Sequence, residues 1–385
     1  MSMHIFNPEH DLAMASDFDN FDAPLSAKDF ARDLAYLPIW YAQAHDSVFV
    51  KEQDQAWMAG ICKQFPKLSG LSISDRFKAT DTATPWGWDK TIRRTFEKNG
   101  VVNLPTREDM EWVRQLSHRK LSIEAMKHLA SLSCAIPLAK PAILLQDNEI
   151  EGYIQTTPYA IFKAPWSGSG KGICRSLGCL SGNLLNRVKN MAKKQGSVLA
   201  EPLYHVVQNF AMEFLCESGT SSFVGYSWFS TSDNGAYLGN LIATNEHIQT
   251  KLNQWITTTD LNKIQESLLE FIEKQVSPHY SGYLGVDMFI YETEQGFAVH
   301  PCVEINVRMT MGLVARLFYD AFVEEGKTGV YFVDYYKNTN DLFNNDLEKT
   351  EANPLIINKE RIQKGYLSLT PISRNTQYRA RVEII

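Results

Sequence analysis

Apolar and polar positions run along this chain in two rhythms, one with period two and one with helical spacing. The clearest period-two segment is late. Gly285-Val286-Asp287-Met288-Phe289-Ile290-Tyr291 predicts a strand, Thr293-Glu294-Gln295-Gly296 a turn and 297–308 a returning strand, which together make a β-hairpin. Successive side chains of a strand face opposite ways, so Glu304, Asn306 and Arg308 share one face and Val303, Ile305 and Val307 the other. Strand-like runs at 206–215, 222–230 and 236–243 precede it. Between them and the hairpin, Asp260 caps a helix with Leu261, Ile264, Leu268, Ile272 and Val276 on one side.

Earlier segments mix both rhythms. Before Ser117, short strand-like runs (47–50, 101–104) alternate with helical stretches, the pattern of a small α/β domain. Ser26 is placed to cap a helix through Phe30, Leu34 and Leu37. Thr106 with Asp109 makes an imperfect capping box before Trp112, Val113 and Leu116. From Ser117 the texture changes. Ser122 opens a helix with Ile123, Met126, Leu129 and Ala130. A strand at 159–163 leads into a glycine-rich loop, Asn183 begins a helix that Gly196 stops, and a short strand at 198–200 runs into Glu201-Pro202. The tail, 328–385, is aromatic and polar, and 338–353 reads as an exposed loop.

At 385 residues the chain has room for two or three domains, and its 44% hydrophobic and 21% charged content is that of a folded protein. The formal charge of −6 argues against general nucleic-acid binding. There is no run of 18 apolar residues to cross a membrane, and Met1 to Asp11 lacks the basic-then-apolar layout of a secretory signal. Six cysteines without a CxxC pair point to reduced thiols and a cytoplasmic setting.

Two carboxylates and an amide oxygen converging on one sheet face (Asp287, Glu304, Asn306) suit a hard, oxygen-seeking cation such as Mg²⁺, and Arg308 beside them suits an anion such as phosphate. The bland reading is a solvated sheet face. Lys163-Ala164-Pro165-Trp166-Ser167-Gly168-Ser169-Gly170-Lys171-Gly172 is either a flexible turn or a flap whose backbone and two lysines cover phosphates. It is not a P-loop: no glycine stands six positions before the lysine, and Ile173 follows Gly172. Glu201-Pro202-Leu203-Tyr204 is either a linker or a hinge offering hydrogen bonds to an adenine edge, with Gln208 and Asn209 a few residues on. Asn7-Pro8-Glu9-His10-Asp11 is a capped turn or part of a substrate site. No histidines are paired at ligand spacing.

The order of these pieces is more specific than any one of them. A basic residue before a helix (Lys120), a strand lysine, a Gly/Ser-rich loop, a hinge glutamate, then Asp287 and Glu304-x-Asn306 resembles the ATP-grasp superfamily, in its carboxylate–amine ligase-like branch, over about 117–313. The resemblance implies an α/β and α+β multi-domain chain, with an ATP-grasp fold after a small Rossmann-like domain. It divides the chain into an N-terminal α/β domain (1–116), a small grasp subdomain with the loop (117–200), a large subdomain with the metal site (201–327) and a C-terminal extension packed on it (328–385). It implies that Lys163 and Lys120 (or Arg119) contact the nucleotide and that Gly168, Ser169, Gly170 and Lys171 close over the triphosphate. Glu201 and Leu203 would read adenine, Asn209 (or Gln208) the ribose, and Asp287, Glu304 and Asn306 would hold one or two Mg²⁺ ions, with Mn²⁺ as a substitute. Arg308 and Lys171 would be catalytic, steadying the transferred phosphoryl group. The family usually has an acid at the ribose position, where this chain has amides.

The implied activity joins a small carboxylate to an amine through an acyl phosphate and releases ADP and phosphate. The same residues would serve a kinase or phosphotransferase, or a catalytically silent nucleotide-binding protein. The partners implied are small molecules, without nucleic acid or membrane, and a homodimer is allowed.

Overall fold

The computed structural model describes residues 2–168, 172–178, 181–232 and 235–385. Among them the strands form three sheets. The first is parallel, in the order Ser72–Ser74, Ser47–Phe49, Ser2–Ile5, Thr82–Pro85, with the expected helices between strands. The second is antiparallel and small: Ile143–Leu145, Val198–Pro202, Tyr159–Lys163, Ile173–Leu177.

The third sheet, of nine antiparallel strands, carries the hairpin Gly282–Thr293/Gly296–Asn306 at one edge. His205–Glu217, Thr220–Thr231 and Tyr237–Ile242 follow, and the sheet then runs on into Gly329–Tyr335, Tyr378–Ile384, Arg361–Ser368 and Ile356–Asn358. The tail therefore extends the same sheet. Mixed α/β architecture is as expected.

The main core lies on one face of this sheet. Val286, Met288 and Ile290 from one hairpin strand and Ile305 from the other pack with Phe210, Met212 and Phe214 against Leu121, Ala125 and Leu129 of helix Lys120–Leu129. Leu261, Ile264, Leu268 and Ile272 of helix Thr258–Gln275 complete it. The period-two pattern thus commits one hairpin face to the core and leaves Asp287 and Glu304 on the other. A second core joins Leu37, Trp40 and Phe65 of the N-terminal part to Phe318 and Phe322 of helix Met311–Phe322 and to Tyr331 and Val382 of the tail strands. Its Trp40 indole N–H donates to the Leu369 carbonyl at 2.7 Å.

Several local expectations need correction. Residues 101–104 form no strand. The region 338–353 is the helix Thr339–Ala352, N-capped by Asn338; only Leu342 is buried along it, so no apolar period betrays it. Ser26 lies inside helix Leu25–Asp33, behind Pro24. Ser122 lies inside Lys120–Leu129 and its hydroxyl turns back to the Arg119 carbonyl at 2.8 Å. Ser181 rather than Asn183 caps helix Gly182–Gln195. Thr257 caps the helix assigned to Asp260, whose carboxylate instead accepts the N–H groups of Ala135 and Ile136. The Thr106–Asp109 capping box is complete, and Gly196 ends its helix at φ +85°.

Candidate functional site

A cleft of about 660 Å³ lies between the small antiparallel sheet and the polar face of the large one. Its floor is built by the hairpin. Asp287 and Glu304 are direct cross-strand partners, and Gly285 faces Asn306 two residues along. Cross-strand neighbours stand about 5 Å apart at Cβ, which is too close for two carboxylates to ionise independently. The Asn306 amide donates to Asp287 Oδ2 at 3.1 Å. Burial first, and then the charge of Glu304, push the Asp287 carboxyl up to about 7.

The next strand inward adds Glu213, which is 1% exposed. Its neighbours leave it room because they are glycines: a Cβ at Gly285 or Gly312 would run into its carboxylate. The Thr310 hydroxyl donates to it at 3.1 Å and also caps helix Met311–Phe322. Residues 310–312 are thus the start of that helix. Burial and then the nearby Asp287 charge push Glu213 well above the ordinary carboxylate range. Among the described residues, no three His, Cys, Asp or Glu side chains converge as a ready-made metal cage. Two carboxylates plus an amide oxygen are nonetheless what a Mg²⁺ ion needs when substrate phosphates and water complete its shell.

Cations face this floor. Arg119 is buried and donates to Glu304 Oε2 at 2.8 Å, to the Ser167 hydroxyl at 2.6 Å and to the Ser167 carbonyl at 2.9 Å. Arg308 lies beyond the strand end at Asn306 and not within the strand. Its Nε and Nη2 donate to the two carboxylate oxygens of Asp11 at 3.1 and 2.8 Å. Burial alone would raise the Asp11 carboxyl, but Arg308 and then His10 outweigh it and hold it well below the ordinary range.

On the small-sheet side, Lys163 and Glu201 sit on paired strands and form a buried ion pair. His300 Nε2 lies 3.2 Å from the other Glu201 oxygen. Burial would raise Glu201, yet Lys163 and His300 hold it at about 2.

Neither a protein-family model nor a curated protein matches the chain. Solved structures do. The N5-carboxyaminoimidazole synthetase of Staphylococcus aureus, complexed with ADP, superposes with a TM-score of 0.51 at 14% identity, covering 100% of this chain and 93% of that one. The ADP complex of another N5-carboxyaminoimidazole ribonucleotide synthetase gives 0.50 at 13%, covering 100% and 92%. A biotin carboxylase from Campylobacter jejuni gives 0.50 at 10%, covering 100% and 87%. The chain has the ATP-grasp fold.

Within that ATP-grasp fold, Lys163, Gly168, Asn209, Asp287, Glu304, Asn306 and Arg308 line one cleft. Lys120 does not line it; its neighbour Arg119 does. Ser169, Gly170 and Lys171 lie outside the described residues. Glu201 stands behind Lys163, and the Leu203 N–H donates to the Tyr159 carbonyl at 3.0 Å. The Gln208 amide donates to the carbonyls of Asn209 and Phe229, whereas the Asn209 amide reaches the Thr231 hydroxyl at 3.4 Å. Glu213 and His300 were not singled out from sequence as part of the site, and Asp11 only within a segment read as a capped turn or part of a substrate site. Glu213 left a signal, as the one charge in the apolar run 210–216.

Proposed function

We propose that the chain is an ATP-dependent ligase that joins a carboxylate to an amine or similar nucleophile through an acyl phosphate, releasing ADP and phosphate. One observation supports this best. Asp287 of the hairpin and Glu213 of the adjacent strand, both raised by burial, line a single cleft together with Arg119, Arg308 and Lys163, in a fold shared with enzymes crystallised with ADP or an ATP analogue.

A carboxylate is a poor acyl donor because its leaving group would be oxide. Moving the γ-phosphoryl of ATP onto it breaks the β–γ P–O bond, forms an acyl phosphate and leaves ADP. The amine then attacks the acyl carbon, phosphate departs, and a proton is lost from nitrogen. Such chemistry asks mainly for positioning and charge neutralisation. Lys163, fixed by Glu201, would meet the nucleotide phosphates, and Asn209 the ribose. Asp287, Glu304 and Asn306 would hold Mg²⁺, which supplies charge neutralisation to the phosphate oxygens when bound. Arg308 would steady the phosphoryl group in transfer, and Gly168 stands at the foot of the loop that would exclude water.

The test is a screen of pooled amino acids and small carboxylates for phosphate release from Mg·ATP. The reading expects release that needs both acceptors and a product of the joined mass. Phosphorylated carboxylate accumulating without amide would instead favour a phosphotransferase.

A further inference from the structure

Arg308 is the cation assigned above to the reacting phosphoryl group, yet its fork is already spent. Its Nε and Nη2 donate to the two oxygens of Asp11, and its Nη1 donates to the Met309 carbonyl at 3.1 Å. Asp11 comes from 297 positions away, in the first turn of helix His10–Ser16. The loop that delivers it is fixed. Asn7 bonds the Gly87 carbonyl at 2.8 Å, and His10, itself buried, lies 3.0 Å from the Trp88 carbonyl by its Nε2. Gly168 closes in from the far side, where any Cβ would strike the Asp11 carboxylate. Glu304, Asn306 and Arg308 form a wall shared by the main cleft and a small cavity that Asp11 and His10 line from behind.

We propose that Asp11 is a specificity-determining residue: it competes with ligand anions for Arg308, so that a phosphate dianion gains the guanidinium and a monoanion does not. The inference rests on the nucleotide reading given above. A planar fork satisfied at both N–H groups by one carboxylate cannot offer the same pair to a second. A ligand with one negative charge exchanges like for like and leaves the half-buried Asp11 with only the His10 ring nitrogen, 3.4 Å from its Oδ1, which is costly. A phosphate dianion has twice the charge to offset that cost. Asp11 therefore filters ligands by charge from the N-terminal side, and it also lowers the affinity of every anion.

The experiment is calorimetric titration of inorganic phosphate, and separately of acetate, into the full chain saturated with Mg·ADP, for wild type and Asp11→Asn. The expected result is phosphate binding about tenfold tighter in Asp11→Asn, and a smaller ratio of phosphate to acetate affinity than in wild type. Asp11→Ser, with a smaller side chain, gives the same direction if Asp11→Asn does not fold. Unchanged or weaker phosphate affinity in a folded variant overturns the inference and makes the pair a structural tie between segments. Mg·ADP itself failing to bind wild type sinks the nucleotide reading, and this inference with it. Binding of Mg·ADP with an unchanged phosphate affinity in the variant sinks the Asp11 assignment alone.

Discussion

Glu201 and Glu213 stand twelve positions apart, both buried, one on the small sheet and one on the large. Their fates are opposite. Glu201 has Lys163 and His300 against its two oxygens and is held at about 2. Glu213 has a threonine hydroxyl and the neighbouring Asp287 charge, and is pushed well above the ordinary range. A buried carboxylate with its cation built in is a finished structural device. Among the described residues Glu213 has no such partner against its oxygens and lies beside Asp287, so burial favours its neutral, protonated form, and on the proposed reading a bound cation would favour the charged one. The small-sheet side is set to position and the hairpin side to receive.

That contrast can be broken in four ways. The largest effect belongs to the receiving side. Glu304→Ala and Asp287→Ala are expected to fold, and to lose ATP turnover by at least about a hundredfold. Turnover near wild type in either would undo the metal assignment. Next comes the finished side. Lys163→Ala strips the cation from buried Glu201 and is expected to cost about 3–5 kcal/mol in denaturant unfolding, as removal of one buried partner does. Glu201→Gln in the same background should return part of that loss.

A smaller effect is expected from crowding the receiver. Gly312→Ala drives a methyl into Glu213 and Ser227 and should destabilise by about 1–3 kcal/mol. Smallest is Glu213→Gln in the nucleotide-free chain. A carboxyl raised by folding keeps its share of stability below its unfolded value and loses it as pH rises towards the folded value. The Gln variant has no such loss, so its melting temperature should gain on wild type between pH 5 and pH 8. A gap that is flat or narrows with pH would contradict the picture of an uncompensated acid.

The receiving side was largely legible in the sequence. Alternation around Asp287, Glu304 and Asn306 is a backbone property, and the hairpin that follows from it brings Asp287 and Glu304 directly opposite. Lys163 and Glu201 were each singled out in the sequence, but not as each other's partner, because strand order in the small sheet is not written in local pattern. Asp11 illustrates the limit. Its partner is 297 positions away, and no periodicity links a first-turn aspartate to an arginine past a strand end. The helix Thr339–Ala352 escaped for the opposite reason: with one buried apolar residue it leaves no stripe to read. Arg119 and Lys120 are adjacent, so sequence order could not say which enters the cleft. The turn after Ser117 puts Arg119 there.

The most direct measurement is an anomalous difference map from a crystal of the full chain grown with Mn²⁺ and ADP. A peak within coordination distance of Asp287 and Glu304, with the diphosphate of ADP completing the shell, is the predicted result. A peak elsewhere, or ADP bound with both carboxylates free of any ion, would contradict it.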